Sequence, residues 1–405
     1  MRGAGAGAGV GAGVGACEAS RGVGAGFGAG GGGGLRGLRG LRGLRMGAGR
    51  DWAELLRVSA LFTVPGDALA GAAATGLRPN RRTLLAVAAS LSLYEAGMAL
   101  NDWADRAEDA VERPHRPLPS GRIAPQVALG AAAALTAGGL TLAAAAGRPA
   151  LAVAGGLAAT VWAYDLGLKH TPAGPAAMAA ARALDLLLGA AATSAPTGRY
   201  GARVRATPVP GAGSGPREAV PAALVLGAHT LAVTAVSRRE AQGGSTATPL
   251  CALAATAALA QLLARGSAAA RTGISPTGSS LTASSLTASS LTGSSLTASP
   301  PTGNSLTASS PTGNSLPGST RRIGVSGVVQ AALAATYAAT AARPLFHAAL
   351  NPSPQLTQRA VGGGIRAMIP LQAALSARTG ALGPALLTAA LAPAARKFGR
   401  KVSVT

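Results

Sequence analysis

Asn101–Arg122, NDWADRAEDAVERPHRPLPSGR, is the stretch on which the reading of this chain turns. Only 14 of the 405 residues are acidic, and five of those fall between Asp102 and Glu112. A sixth, Glu95, lies just upstream, and the stretch closes an apolar run. Arg113, Arg116 and Arg122 follow it. On a continuous helix, Asn101, Asp102, Asp105, Glu108, Asp109 and Glu112 share an arc of roughly 120°. Like charges so placed repel one another. A divalent cation relieves that repulsion. Mg²⁺ takes oxygen ligands and is usually held by one or two carboxylates together with substrate phosphates. The arginines offer forked donors to phosphate oxygens, while Pro114, Pro117 and Pro119 end the helix and stiffen the loop. The bland alternative is a solvated charged loop at a membrane exit. It does not explain several carboxylates on one helical face.

The flanking sequence says where this acidic turn sits. The chain is 48% hydrophobic and 12% charged, against about 25% charged in ordinary soluble domains. Apolar runs recur at lengths that read as transmembrane helices. They fall at 52–75, 83–101, 124–146, 149–166, 175–194, 219–236, 248–265, 325–342 and 361–377. The expected fold is therefore all-α, a polytopic membrane bundle of about nine transmembrane helices around a central cavity. A tenth stretch, 381–395, either spans or lies at the interface. Trp52, Trp103, Trp162 and Tyr164 fall near expected span ends, as interfacial aromatics do.

The formal net charge is +22, and 33 of the 36 basic residues are arginines. Most lie between apolar spans, so they read as membrane-flanking charge and not as a nucleic-acid surface. Counting spans from a cytoplasmic N-terminus puts the loops 102–123, 165–174 and 237–247 on the cytoplasmic side of a cell membrane. Two unrelated cysteines and four scattered histidines give no zinc spacing. Residues 1–50 read as a disordered, low-complexity basic tail, with Met46 as an alternative start. The remaining domain, 51–405, is interrupted by a Pro/Gly-rich loop, 196–217, and by a Ser/Thr/Gly repeat insertion, 266–322.

With those residues in view, the stretch resembles the first aspartate-rich motif of the UbiA superfamily of intramembrane prenyltransferases: Asn-Asp-x-x-Asp-x-x-x-Asp, then Arg and Arg-Pro-Leu-Pro-Ser-Gly. Asn101, Asp102, Asp105 and Asp109 match, followed by Arg113 and Arg116–Gly121. The resemblance implies a helical bundle that holds a prenyl diphosphate through Mg²⁺ and basic side chains. It then transfers the allylic carbon to a lipophilic acceptor in the bilayer. It assigns Asp102, Asp105 and Asp109 to the metal, with Asn101 beside them.

"YDLGLKH", 164–170, holds one of only three lysines in the chain. Lys169 suggests a point-charge contact to diphosphate, and its stretch is similar to the family's Tyr-x-x-x-x-Lys loop. Tyr164 belongs to it, and Asp165 is expected to order the lysine. An interfacial anchor is the plain alternative. Arg182 and Asp185 lie at i, i+3 inside an apolar span, where ionisable groups are paired or functional. Either a mutual ion pair or a diphosphate contact fits them. Near the sixth span the family has a second motif, Asp-x-x-x-Asp. This chain has AVSRREAQGG instead, with Glu240 its only acid and Arg238 and Arg239 beside it. Whether a second Mg²⁺ binds is therefore left open by the sequence, and the arginines are candidates to touch diphosphate directly. Tyr94, Trp103 and Tyr164 are the aromatics nearest to a developing carbocation. A CDP-alcohol phosphotransferase is the competing enzyme, but its Asp-Gly-x-x-Ala-Arg signature is absent. A non-catalytic isoprenoid binder or transporter is the competing class.

Overall fold

Proline and polar caps punctuate this apolar chain into helices. The computed structural model describes residues 49–195, 215–238, 245–272 and 325–402. A short helix at 49–55 and a 3₁₀ turn, Val58–Thr63, lead into α1, Val64–Ala74, which has Pro65 in its first turn. Next comes α2, Arg81–Ala104, opened by a capping box. The Asn80 side chain accepts from the Arg82 and Thr83 amides, and Thr83 Oγ1 accepts the Asn80 amide at 2.9 Å. Such a cap is worth about 1 kcal/mol. A short α3, Arg106–Glu112, precedes α4, Pro125–Ala146, and α5, Arg148–Leu166. Gly147, at φ 138°, makes the sharp reversal between α4 and α5 that a side chain would resist. The bundle continues with α6, Gly174–Ser194, α7, Val220–Ser237, α8, Ala247–Thr272, and α9, Val325–Leu350. It ends with α10, Pro354–Arg378, and α11, Leu382–Val402.

No strand occurs among the described residues. Seven of their helices are long and apolar enough to cross a membrane: α2, α4, α5, α6, α7 with the turn before it, α8 and α9. The protein is an all-helical integral membrane protein. The expected first span, 52–75, is not one continuous helix. Arg57 adopts a left-handed conformation, φ 48° and ψ 50°, and a new helix starts at Val64. Leu61–Ala74 is left as a short apolar segment, and so is Leu382–Ala395 at the other end. The helix expected over 361–377 runs instead from Pro354 to Arg378 and carries Arg359, Arg366 and Gln372.

α6 stands between the two halves of the bundle. Its Leu188 and Ala192 pack with Ala89 and Leu93 of α2, Ala143 of α4 and Ala154 of α5. Leu186 and Ala190 pack the other way, with Leu226 of α7, Leu263 of α8, Tyr337 of α9 and Leu371 of α10. Small residues let α1 lie directly on α6. A Cβ at Gly189 would collide with the Ala68 backbone, and one at Gly71 with the Leu186 carbonyl. Close backbone approach of this kind maximises dispersion contact where no hydrophobic effect drives helices together. A third cluster lies beneath the acidic turn. Leu55, Leu100, Leu118, Ile123 and Ala128 are buried there, with Trp52, Trp103 and Trp162 packed against them. It fastens the loop 113–124 across the ends of α2 and α4.

Candidate active site

The acidic turn is not one helix. α2 ends at Ala104, Asp105 leaves helical geometry (φ −85°, ψ 2°), and α3 starts again at Arg106. The break divides the carboxylates that a continuous helix would line up. Asp102 and Asp109 are buried, Asp105 is half-buried, and Glu108 and Glu112 face outward.

The buried pair is bound to arginine. Arg116 Nη1 lies 2.6 Å from Asp109 Oδ2 and 3.6 Å from Asp102 Oδ1, so one guanidinium bridges both carboxylates. The prolines after Arg113 stop α3 and fold the loop back, which is what brings Arg116 over the two aspartates. Arg113 adds a contact to Asp109 at 3.7 Å. The fourth arm was not anticipated: Arg57 donates to Asp102 Oδ1 at 3.1 Å. Arg57 is the one non-glycine residue with positive φ among those described. Backbone strain held at a charged cleft is a common mark of function.

Lys169 arrives from the 3₁₀ turn Leu168–His170 after α5. It forms an ion pair with Asp105, not with Asp165 as the sequence suggests. Asp165 is buried close by and feels the charges of Lys169, Asp105, Arg57 and Asp102. Tyr164 feels Asp165, Asp105 and Arg238. Arg238, at the end of α7, donates to the Thr171 carbonyl, which ties that helix end to the lysine turn. Asn101 lies beside Asp102. The fold thus gathers Asn101, Asp102, Asp105, Asp109, Arg113, Arg116, Tyr164, Asp165, Lys169 and Arg238 at one end of the bundle. Glu240 lies outside the described residues.

Three expected members, Arg122, Arg182 and Asp185, are engaged elsewhere. Arg122 bonds Glu54 through both terminal nitrogens, at 3.0 and 3.3 Å, contacts Asp51, and donates to the His115 carbonyl. The Glu54 hydrogen bond raises its already high pKa, so it stays cationic and pins the loop to the N-terminal helix. Arg182 is held inside the bundle. Its Nη1 lies 2.5 Å from Asp67 Oδ2 but 4.0 Å from Asp185. Gln372 completes Asp67 at 2.6 Å and also donates to the Thr63 carbonyl. The nearer charged partner of Arg182 is thus Asp67, 115 residues away on α1, with Asp185, three residues along α6, at 4.0 Å.

For a divalent cation the donor chemistry fits. The carboxylates of Asp102, Asp105 and Asp109 are oxygen donors of the kind that hard cations take. Among the described residues, Asp105, Glu108 and His170 each bring a ligand atom within 4.8 Å of the others. That group shares Asp105 with the set that the sequence indicated but includes neither Asp102 nor Asp109.

Comparison with known proteins identifies the family. The sequence model described as the UbiA prenyltransferase family matches residues 59–296, more than half of the chain. A digeranylgeranylglyceryl phosphate synthase of Ignicoccus hospitalis is 34% identical over 161 residues, 40% of this chain and 53% of that protein. The chain therefore spans about half the length of that curated relative. A solved digeranylgeranylglyceryl phosphate synthase superposes with a TM-score of 0.49 at 15% identity, covering 83% of this chain and 99% of that one. A UbiA homolog from Archaeoglobus fulgidus, solved bound to DMAPP and Mg²⁺, gives 0.39 at 18% identity, covering 53% and 77%. The family match spans the acidic turn, the lysine turn and the helices that carry them, and the chain belongs to the UbiA prenyltransferase family.

Proposed function

We propose that the protein transfers a prenyl group from a prenyl diphosphate to a lipophilic acceptor within the membrane and releases diphosphate. One observation carries this reading above the others. Three aspartates and four cations, Arg57, Arg113, Arg116 and Lys169, interlock at one end of an apolar bundle. Such a site suits a ligand that is polyanionic at one end and hydrocarbon at the other.

Each group has a task in this reading. The diphosphate exchanges with the aspartates for the forked donors of Arg113 and Arg116 and the point charge of Lys169. Asp102, Asp105 and Asp109 would hold Mg²⁺, with the Glu108 carboxylate in reach of Asp105. A bound cation of this type neutralises charge that develops on the leaving oxygens. Arg57 and Arg116 keep Asp102 and Asp109 compensated while no substrate is present. Arg238 fixes the lysine turn through Thr171. Ala- and Leu-lined helices exclude water, which would otherwise capture an allylic cation. The acidic end is read as cytoplasmic, because the Arg-rich loops gather there.

The test is incubation of membranes containing the protein with labelled prenyl diphosphates of different lengths, with and without Mg²⁺. The expected result is a prenylated lipid and free diphosphate, both dependent on Mg²⁺. Unchanged prenyl diphosphate under every condition would refute the reading.

A further inference from the structure

We propose that Glu95 binds the hydroxyl group of the acceptor and takes its proton as the prenyl group is transferred. The inference rests on the prenyl-transfer reading above.

Glu95 lies in the middle of α2 and is 8% exposed. Neither of its carboxylate oxygens has a hydrogen-bond partner. Among the described residues, Glu95 is the one acid with both oxygens buried and unpartnered, while Asp185 has one such oxygen and lies 4.0 Å from Arg182. Asp67 has Arg182 and Gln372, Asp102 has Arg57 and Arg116, and Asp109 has Arg116. Native structures seldom bury a carboxylate unpartnered, and each such case calls for an account. Inside an apolar bundle the demand is greater, because ionisable residues there are paired or functional.

Its position supplies the account. Glu95 precedes Asp102 by seven residues, close to two helical turns. It therefore projects from the same face of α2, offset by about 20°, and lies about 10 Å further into the bundle. The two acids bracket the stretch of α2 along which the reacting carbon would lie, once its diphosphate is held at the Asp102 end. Tyr94 feels Glu95, Arg57 and Arg182 together. This turn of α2 thus lies between the charged end and the buried Arg182 network. A membrane-soluble molecule that completes a bare carboxylate there must bring a donor, and a hydroxyl does so without carrying charge into the bilayer.

The chemistry then balances. The acceptor oxygen forms a bond to the allylic carbon, and the bond from that carbon to the diphosphate oxygen breaks. The electron pair leaves with diphosphate. The hydroxyl proton passes to the Glu95 carboxylate, and the product is an ether. No oxidant or reductant is involved.

The test compares the full-length wild type with Glu95→Gln in lipid bilayers. Binding of labelled geranyl diphosphate with Mg²⁺ is measured first. Turnover is then measured with total lipid extract from the cells that make the protein. We expect Glu95→Gln to bind geranyl diphosphate within about twofold of wild type but to form product at least about a hundredfold more slowly, as loss of a general base does. Glu95→Asp should recover part of the rate, and the wild-type product should carry geranyl on oxygen. Wild-type turnover by Glu95→Gln overturns the inference. So does loss of geranyl diphosphate binding in that variant, or a wild-type reaction that yields no geranyl ether. A wild type that binds no geranyl diphosphate is a different failure, because it removes the prenyl-transfer reading on which this rests.

Discussion

Two charged clusters lie in this bundle, and they are built differently. At the acidic end, aspartates on α2, on α3 and at the break between them meet cations from the segment before α1, the 113–124 loop and the turn after α5. Arg113 and Arg57 there are 51% and 39% exposed at the side chain. The inner cluster joins Asp67, Arg182 and Gln372, all on helices, and Asp67 is fully buried. Its helices touch backbone to backbone at Gly189 and Gly71. Charges on turns and loops can trade partners when a ligand arrives. Charges on interlocked helices cannot do so without unpacking the bundle. In the proposed function the first cluster serves binding and chemistry, while the second holds α1, α6 and α10 together.

This contrast makes predictions that separate activity from stability. Asp105→Asn removes a carboxylate that the proposed function gives to Mg²⁺ and should lower turnover by about a thousandfold or more. Its thermal stability should stay near wild type, as measured in the same membrane preparation. Asp67→Ala strips the buried Arg182 of its close carboxylate, leaving Asp185 at 4.0 Å, and should cost about 3–5 kcal/mol of stability. The folded fraction should still bind prenyl diphosphate, and a fully stable but inactive Asp67→Ala would invert the comparison. Lys169→Met should reduce turnover by about a hundredfold, as losing one transition-state donor does, with a smaller effect on acceptor affinity. Arg122→Ala breaks a part-exposed pair with Glu54 and Asp51. It should cost under about 1 kcal/mol, and less at high salt. Unfolding curves at two ionic strengths would check this.

The parts of the site that were legible in the sequence are those whose chemistry is local. Asn101 to Arg116 declared itself through the density of its carboxylates, and Lys169 through its rarity. Most of the helices were legible too, because the apolar runs at 83–101, 124–146 and 149–166 end near the observed boundaries. What stayed hidden depends on chain reversal. Asp105 breaks the helix, so an arc drawn on a continuous helix overstates how the acids align. Arg57 was absorbed into an expected span, because an arginine near the end of an apolar run reads as an anchor. Asp67 was absorbed in the same way. An ionisable group inside a span should have flagged it, as it flagged Arg182, but only the fold reveals that the two are partners. The pairing of Lys169 with Asp105, 64 residues away, was likewise beyond a reading of neighbours.

The central claim is that the interlocked charges at the end of the bundle accept a diphosphate and a cation together. The most direct measurement is equilibrium binding of labelled geranyl diphosphate to the purified full-length protein, titrated with Mg²⁺. The wild type is compared with a variant carrying both Asp102→Asn and Asp109→Asn. The account predicts that Mg²⁺ strengthens binding to the wild type by at least about tenfold, and that the variant loses this gain while remaining folded. Binding that ignores Mg²⁺, or a double variant that responds to Mg²⁺ as the wild type does, would contradict it.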